Sequence, residues 1–125
     1  MDFNSGKPIF LQLEEQMRTD IVMGKYKPEE KLPGVRDLAL QANVNPNTMQ
    51  RALGDLEREG LLITRGTSGR FVCSDVKKIE EARKKILDEI ARDFLARCFV
   101  LGVEPREAAR LICEMEEIER KDDNE

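Results

Sequence analysis

The sequence contains no histidine. That absence removes the commonest general base and the commonest metal ligand, and with them the Ser–His and Cys–His nucleophile pairs. No glycine-rich phosphate loop of the G-x-x-x-x-G-K-[ST] kind is present either. Cysteine is scarce. Cys73, Cys98 and Cys113 are odd in number, form no C-x-x-C pair, and each stands among apolar neighbours. They read as small buried hydrophobes in a reducing compartment, with redox sensing as the sharper alternative. No apolar run approaches the roughly 18 residues that would span a membrane. Met1-Asp2-Phe3-Asn4 does not open a basic-then-apolar signal peptide. The expectation is a cytoplasmic chain that works without metal, cofactor or catalytic site.

The composition that remains is 40% hydrophobic and 37% charged over 125 residues. This suits a helix-rich domain with a small accessory element. The net charge of −4 runs against nucleic-acid binding, for which a basic domain is expected. Its distribution does not. No acid occurs from Leu38 through Gly54, nor from Gly60 through Ser74, and Arg65 and Arg70 lie inside the second window. Residues 76–125 hold eleven Lys/Arg against fourteen Asp/Glu and carry most of the excess. Acid is kept out of two local stretches, as a local electrostatic footprint requires.

Pro8 suits the first turn of a helix, and Ile9, Leu13, Met17 and Ile21 then recur every four residues beside Phe10. Gly24 is a stop, and residues 25–30 read as a loop. Lys31-Leu32-Pro33-Gly34 is a short extended lead-in to a second helix carrying Val35, Leu38, Ala39 and Ala42. Asn43 fits the left-handed position of a tight turn, with Val44 plugging the core beneath it. Asn45-Pro46 reads as N-cap and first residue of a third helix, whose buried stripe is Met49, Ala52, Leu53 and Leu56 and whose end is Gly60. Leu61–Arg65 and Arg70–Cys73 are β-like runs joined by the turn Gly66-Thr67-Ser68-Gly69. Helix, turn, helix and hairpin is the order of a winged helix-turn-helix.

A boundary is expected at Ser74-Asp75. Beyond it a long helix carries Ile79, Ala82, Ile86, Leu87, Ile90, Phe94, Leu95, Cys98 and Phe99, apolar on two sides after Ile86 and so in need of two partners. Leu101-Gly102-Val103 resembles a glycine cap followed by a hydrophobic residue. Pro105 opens a last helix with Ala108, Leu111, Ile112, Met115 and Ile118 on one face. The fold class is mainly α with a small β-hairpin wing. A winged helix-turn-helix domain over 1–75 is followed by a two-helix dimerisation element over 76–120 and a frayed tail over 121–125.

On a helical wheel the third helix turns Asn47, Arg51, Gly54 and Arg58 away from the core, flanked by Thr48 and Gln50. Amide, hydroxyl and guanidinium groups without carboxylates are the groups that read base edges in a major groove, and they lie near the helix N-terminus, where such contacts are made. The small residues of the hairpin turn let its backbone approach phosphates or a minor groove.

The run KLPGVRDLALQANVNPNTMQRALGDLEREGLLITRGTSGRFV resembles the DNA-binding domain of the GntR family of regulators, and KPIFLQLEEQMRTDIVMGKYKPEEKLP is similar to that family's first helix and the loop after it. With so short a remaining chain, the resemblance is to the YtrA-like subfamily, in which two C-terminal helices serve for dimerisation. The resemblance implies DNA contacts from Arg36 on the second helix, from Asn45, Asn47, Thr48, Gln50 and Arg51 on the recognition positions, and from Arg65, Gly66, Thr67, Ser68, Gly69 and Arg70 on the wing. Dimerisation residues are then Ile79, Ile86, Leu87, Ile90, Phe94, Leu95 and Phe99. Two departures stand out: Gly34 replaces the family's usual capping Ser, and Gly54 replaces a larger polar residue.

The expected partners are a double-stranded inverted-repeat operator and a second copy of the chain, with repression as the default outcome and no membrane involved. A small-molecule effector between the C-terminal helices or at the dimer seam stays open, with Phe94, Phe99 and Met115 as candidates to line a cavity against ordinary core packing. The rival reading is a winged helix that scaffolds proteins without touching DNA, for which the acidic net charge speaks. A third is a small cysteine-dependent enzyme, and Cys98 and Cys113 have no adjacent base in the sequence.

Overall fold

The computed structural model describes residues 6–123. The order is α1 (Ile9–Val22), α2 (Val35–Ala42), α3 (Pro46–Arg58), β1 (Leu62–Thr64), β2 (Arg70–Val72), α4 (Val76–Val100) and α5 (Pro105–Asp123). The chain forms two compact units, the first ending at Lys84 and the second beginning at Lys85.

Punctuation in the sequence sets the helix limits of the first unit. Pro8 takes the N-cap of α1 rather than its first turn. Helices α1 to α4 all stop the same way. A residue with positive φ (Gly24, Asn43, Gly60 and Gly102) lets the next N–H reach back to a carbonyl five residues earlier. The one non-glycine among them, Asn43, has φ 56° and ψ 50°, and Val44 N–H then donates to Ala39 O at 3.0 Å. Asparagine tolerates this conformation better than other side chains because its short amide can bond locally.

The core of this unit joins Leu13, Met17 and Ile21 of α1, Leu38 and Ala39 of α2, and Met49, Ala52, Leu53 and Leu56 of α3, with Val35, Ala42 and Val44 at its margin. Tyr26 is also buried in it, although its segment reads as loop. β1 and β2 pair antiparallel, Leu62 opposite Val72 and Thr64 opposite Arg70. A two-stranded hairpin is marginal on its own. Here Leu62 and Val72 are fully buried against the helices, and the lead-in adds backbone pairing. Leu32 N–H donates to Arg70 O at 2.9 Å, Val72 N–H to Glu30 O at 2.9 Å, and Lys31 bridges Phe71.

The first turns of α4 belong to this unit, because Ile79 and Ala82 pack on its core. Ile79, expected on the dimer face, is spent within its own chain.

In the second unit a tight turn joins the rest of α4 to α5, and Cys98 and Ala108 are its buried side chains among the described residues. Val103 N–H closes the turn on Cys98 O at 2.9 Å. Little else here is covered: Leu87, Ile90, Leu95, Phe99, Leu111, Ile112, Met115 and Ile118 are all exposed. α5 continues through Asp123, past the boundary at 120 where fraying is expected, and Arg120 pairs with Glu116 one turn back. Asn124 and Glu125, the rest of that tail, and Met1–Asn4, read against a signal peptide, lie outside the described residues. Among the described residues no helix is long and apolar enough to cross a membrane.

Candidate nucleic-acid interface

α3 presents its outer face because its inner one is committed. Met49, Ala52, Leu53 and Leu56 are each no more than 1% exposed. Asn45 caps the helix, its Oδ1 accepting from Asn47 N–H at 2.8 Å, and Pro46 takes the first turn. Asn47, Gln50, Arg51 and Arg58 are exposed, with Thr48 and Gly54 half-buried between them. No carboxylate occurs on α3 before Asp55.

The cations of this face differ in their surroundings. The Arg51 guanidinium lies 3.5 Å from the centroid of the Phe10 ring of α1, a cation–π stack that orders it. Beneath it, Glu14 of α1 is buried, and its Oε1 has no hydrogen-bond partner among the described residues. Burial pushes the Glu14 carboxyl up. Arg18, Arg51 and Arg58 oppose that rise, and Glu59 adds to it. Arg18 donates to Glu59 at 3.1 Å, tying α1 to the end of α3, and Arg58 pairs with Asp55. Arg36 of α2 is exposed, and Gly34 caps that helix with no side-chain bond.

The wing is a tight turn. Arg65 N–H donates to Gly69 O at 3.0 Å and Ser68 N–H to Arg65 O at 2.9 Å, with Gly66 and Gly69 at positive φ. Arg65, Gly66, Thr67 and Ser68 are exposed at its tip, and Arg65 stacks on Phe71 at 4.9 Å. A Cβ on Gly69 would stand 3.1 Å from Lys31 Cε, so the lead-in carries a further cation beside the wing. Nothing in the sequence marks Lys31 for this role, since its place two residues ahead of Pro33 carries no local signal.

Arg70 sits differently from the rest of the wing. Expected to face DNA, its side chain is only 16% exposed and pairs with Glu57 of α3. Thr64 Oγ1 donates to the same Glu57 oxygen, and Arg70 Nη1 donates to Gln50 Oε1 at 3.3 Å. Burial raises the Glu57 carboxyl, but the Thr64 and Arg70 hydrogen bonds and the Arg70 charge outweigh it and hold the group below its ordinary range. Glu57 lies outside the expected site. Its partner is thirteen residues away across a turn, a pairing that no local pattern announces.

Two expectations about the second unit change. Cys113 is exposed on α5, not buried, because nothing among the described residues covers that face; Cys73 and Cys98 are buried. A groove of about 380 Å³ is lined by Arg92, Leu95, Ala96, Phe99, Val103 and Pro105. Of the residues expected to line a cavity it includes Phe99 alone, Phe94 being half-buried and Met115 exposed elsewhere.

A three-helix core, an acid-free outer face on its third helix and a hairpin at that helix's side define a winged helix-turn-helix DNA-binding domain. Residues 10–72 match the family described as bacterial regulatory proteins, gntR family, and the chain belongs to it. It is 33% identical to the HTH-type transcriptional repressor YtrA of Bacillus subtilis (strain 168) over 105 residues, 83% of this chain and 81% of that one. The GntR family transcriptional regulator from Listeria monocytogenes superposes with a TM-score of 0.83 at 30% identity, covering 90% of this chain and 98% of the other. The DNA-binding domain of AraR in complex with operator ORR3 superposes with a TM-score of 0.53 at 32% identity, over 58% of this chain and 88% of its own. The YtrA-like resemblance thus extends through the helices after the wing.

Proposed function

We propose that the chain is a cytoplasmic, sequence-specific transcription repressor that binds an inverted-repeat operator as a homodimer. The observation that carries the proposal is the outer face of α3. Asn47, Gln50 and Arg51 are exposed together without a carboxylate, and the wing tip with Arg65 supplies a second cationic element of the same unit. Side-chain amides and guanidinium groups are the ones that read base edges in the major groove. Arg36, Asn45, Thr48 and the wing backbone position the domain on phosphates, which fixes register without reading sequence. Apolar residues of α4 supply the isologous contact, exposed Leu87, Ile90, Leu95 and Phe99 with half-buried Ile86 and Phe94, against their copies. Occupying a promoter, such a dimer blocks polymerase.

The test is a mobility shift of the purified protein on DNA from its own upstream region, with excess nonspecific competitor. A specific, salt-sensitive shift with one dimer per site is the expected outcome. No specific shift at low salt would overturn DNA recognition and leave the protein-scaffold reading.

A further inference from the structure

The wing and the recognition helix are joined by a polar network whose consequence falls on one base-reading side chain. Arg70 of β2 meets α3 at two points. Its Nε donates to Glu57 Oε1, and its Nη1 donates to Gln50 Oε1 at 3.3 Å. Thr64 of β1 donates to Glu57 from the other side. Arginine carries donors only. Whichever way the amide of Gln50 is drawn, the atom facing Arg70 is therefore its oxygen, and the NH₂ group is the end turned away.

That orientation constrains what Gln50 offers to DNA. Reading adenine takes both ends of the amide abreast of the base edge, the NH₂ donating to N7 and the oxygen accepting from N6. An oxygen held back on the wing leaves the NH₂ leading. A cationic donor on the carbonyl also polarises the amide and strengthens its N–H donors. Guanine, with O6 and N7, and thymine, with O4, complement a donor fully, whereas adenine offers it N7 alone and leaves the adjoining N6 donor without its acceptor. Cytosine presents a donor and is refused.

We infer that Arg70 is a positioning residue that, anchored by Glu57, sets Gln50 as a donor and so directs the recognition helix to guanine or thymine, against adenine, at one operator position. This rests on the DNA-binding reading proposed above and deepens it. Arg70 acts on base preference through Gln50 and not as a phosphate contact of the wing.

The test is selection of binding sites from random duplex DNA by the full chain and three variants, each first checked for a native melting transition. Gln50→Ala locates the position, as the one whose preference it erases. At that position the wild type is expected to favour guanine or thymine over adenine by about tenfold, the worth of one good base contact. Arg70→Thr frees the amide oxygen and moves the preference toward adenine by a comparable factor, with the other positions unchanged. Glu57→Gln, which loosens Arg70 from the far side, shifts it the same way by less and keeps the question answerable if Arg70→Thr does not fold. A merely structural Arg70 would weaken binding to every selected sequence alike and leave the preference where it was. The inference is overturned if the wild type selects adenine there, if Gln50→Ala erases no position, or if the folded variants keep the wild-type preference. If the wild type enriches no sequence at all, the DNA-binding reading itself falls, a result distinct from an unchanged preference.

Discussion

Glu14 is the residue whose cost to the fold is plainest. A buried carboxyl with one oxygen unpartnered among the described residues carries a cost that surrounding arginines only partly offset. Burial raises its pKa above the ordinary carboxyl value of 4.5, so the folded state holds its proton more tightly than the unfolded chain does. The sign follows from that difference. Below the unfolded value both states are protonated and the group costs nothing. As pH climbs from 4.5 through the raised folded value, the unfolded chain loses its proton first and stability falls, after which the penalty is constant. Glu14→Gln should therefore stabilise the protein at neutral pH by on the order of 1 kcal/mol. Melting curves should show that gain shrinking to nothing as pH falls below the ordinary carboxylate range. A gain independent of pH would remove the charge from the explanation. Above Glu14, Arg51 illustrates a side chain held ready. Its stack on Phe10 orders the guanidinium before any DNA arrives. Arg51→Ala is expected to cost about 1–3 kcal/mol of operator affinity and to relax the requirement for one base pair. Titrations against operator and scrambled duplexes settle it, since a variant whose ratio of the two affinities is unchanged would show that Arg51 reads no base.

At the scale of elements, what the sequence announced was punctuation and period. Gly24, Asn43 and Gly60 fall where helices stop, and Asn45-Pro46 falls where α3 starts, because these residues fix backbone dihedrals locally and need no distant partner. Periodic apolar residues marked the buried faces of α1, α2 and α3 for the same reason. Contacts that close through space were not legible. Tyr26 fills the core from a segment with loop composition, and the lead-in pairs with β2, so that what reads as a hairpin gains a third segment. The candidate site divides along the same line. The exposure of Asn47, Gln50 and Arg51 follows from helical period alone, whereas the diversion of Arg70 to Glu57 depends on how the hairpin packs on α3. Ile79 belongs with these cases, since helical period places it on an apolar stripe without saying which body will cover it. The start of α3 lends itself to measurement. Asn45 Oδ1 satisfies the Asn47 N–H, one of the amides that a helix start leaves unpaired. Asn45→Ala should lower stability by about 1 kcal/mol, read as a smaller urea midpoint with an unchanged slope. A changed slope would mean that the unfolded state, and not the cap, had been altered.

For the whole molecule the question is what covers the second unit. Phe99 is 82% exposed, Ile90 60% and Leu87 55% on α4, and Leu111, Ile112, Met115 and Ile118 of α5 are exposed as well. Large apolar side chains left exposed in such number are what an interaction face presents. The inverted-repeat operator proposed above calls for a partner related by a two-fold axis, and on that proposal a second copy would supply it with one patch meeting itself. The acidic excess of residues 76–125 sits away from the recognition helix and wing in sequence, so the net charge of −4 does not describe the surface offered to DNA. Ile90→Asp combined with Phe99→Asp places carboxylates on the proposed seam, where burial leaves them unpaired. Sedimentation equilibrium should find the wild type dimeric and the double variant monomeric, with helix content retained. Because two linked half-sites bind with an avidity that one lacks, the variant should lose about a hundredfold or more in operator affinity. Geometry supplies the control. Recognition helices in a two-fold dimer reach half-sites about 34–36 Å apart, one turn of the duplex. Inserting half a turn of DNA between the half-sites should therefore abolish tight binding by the wild type and leave the weak half-site binding of the variant untouched. A double variant that stays dimeric would place the seam elsewhere, and a wild type indifferent to the insertion would show that its two DNA-binding units act independently.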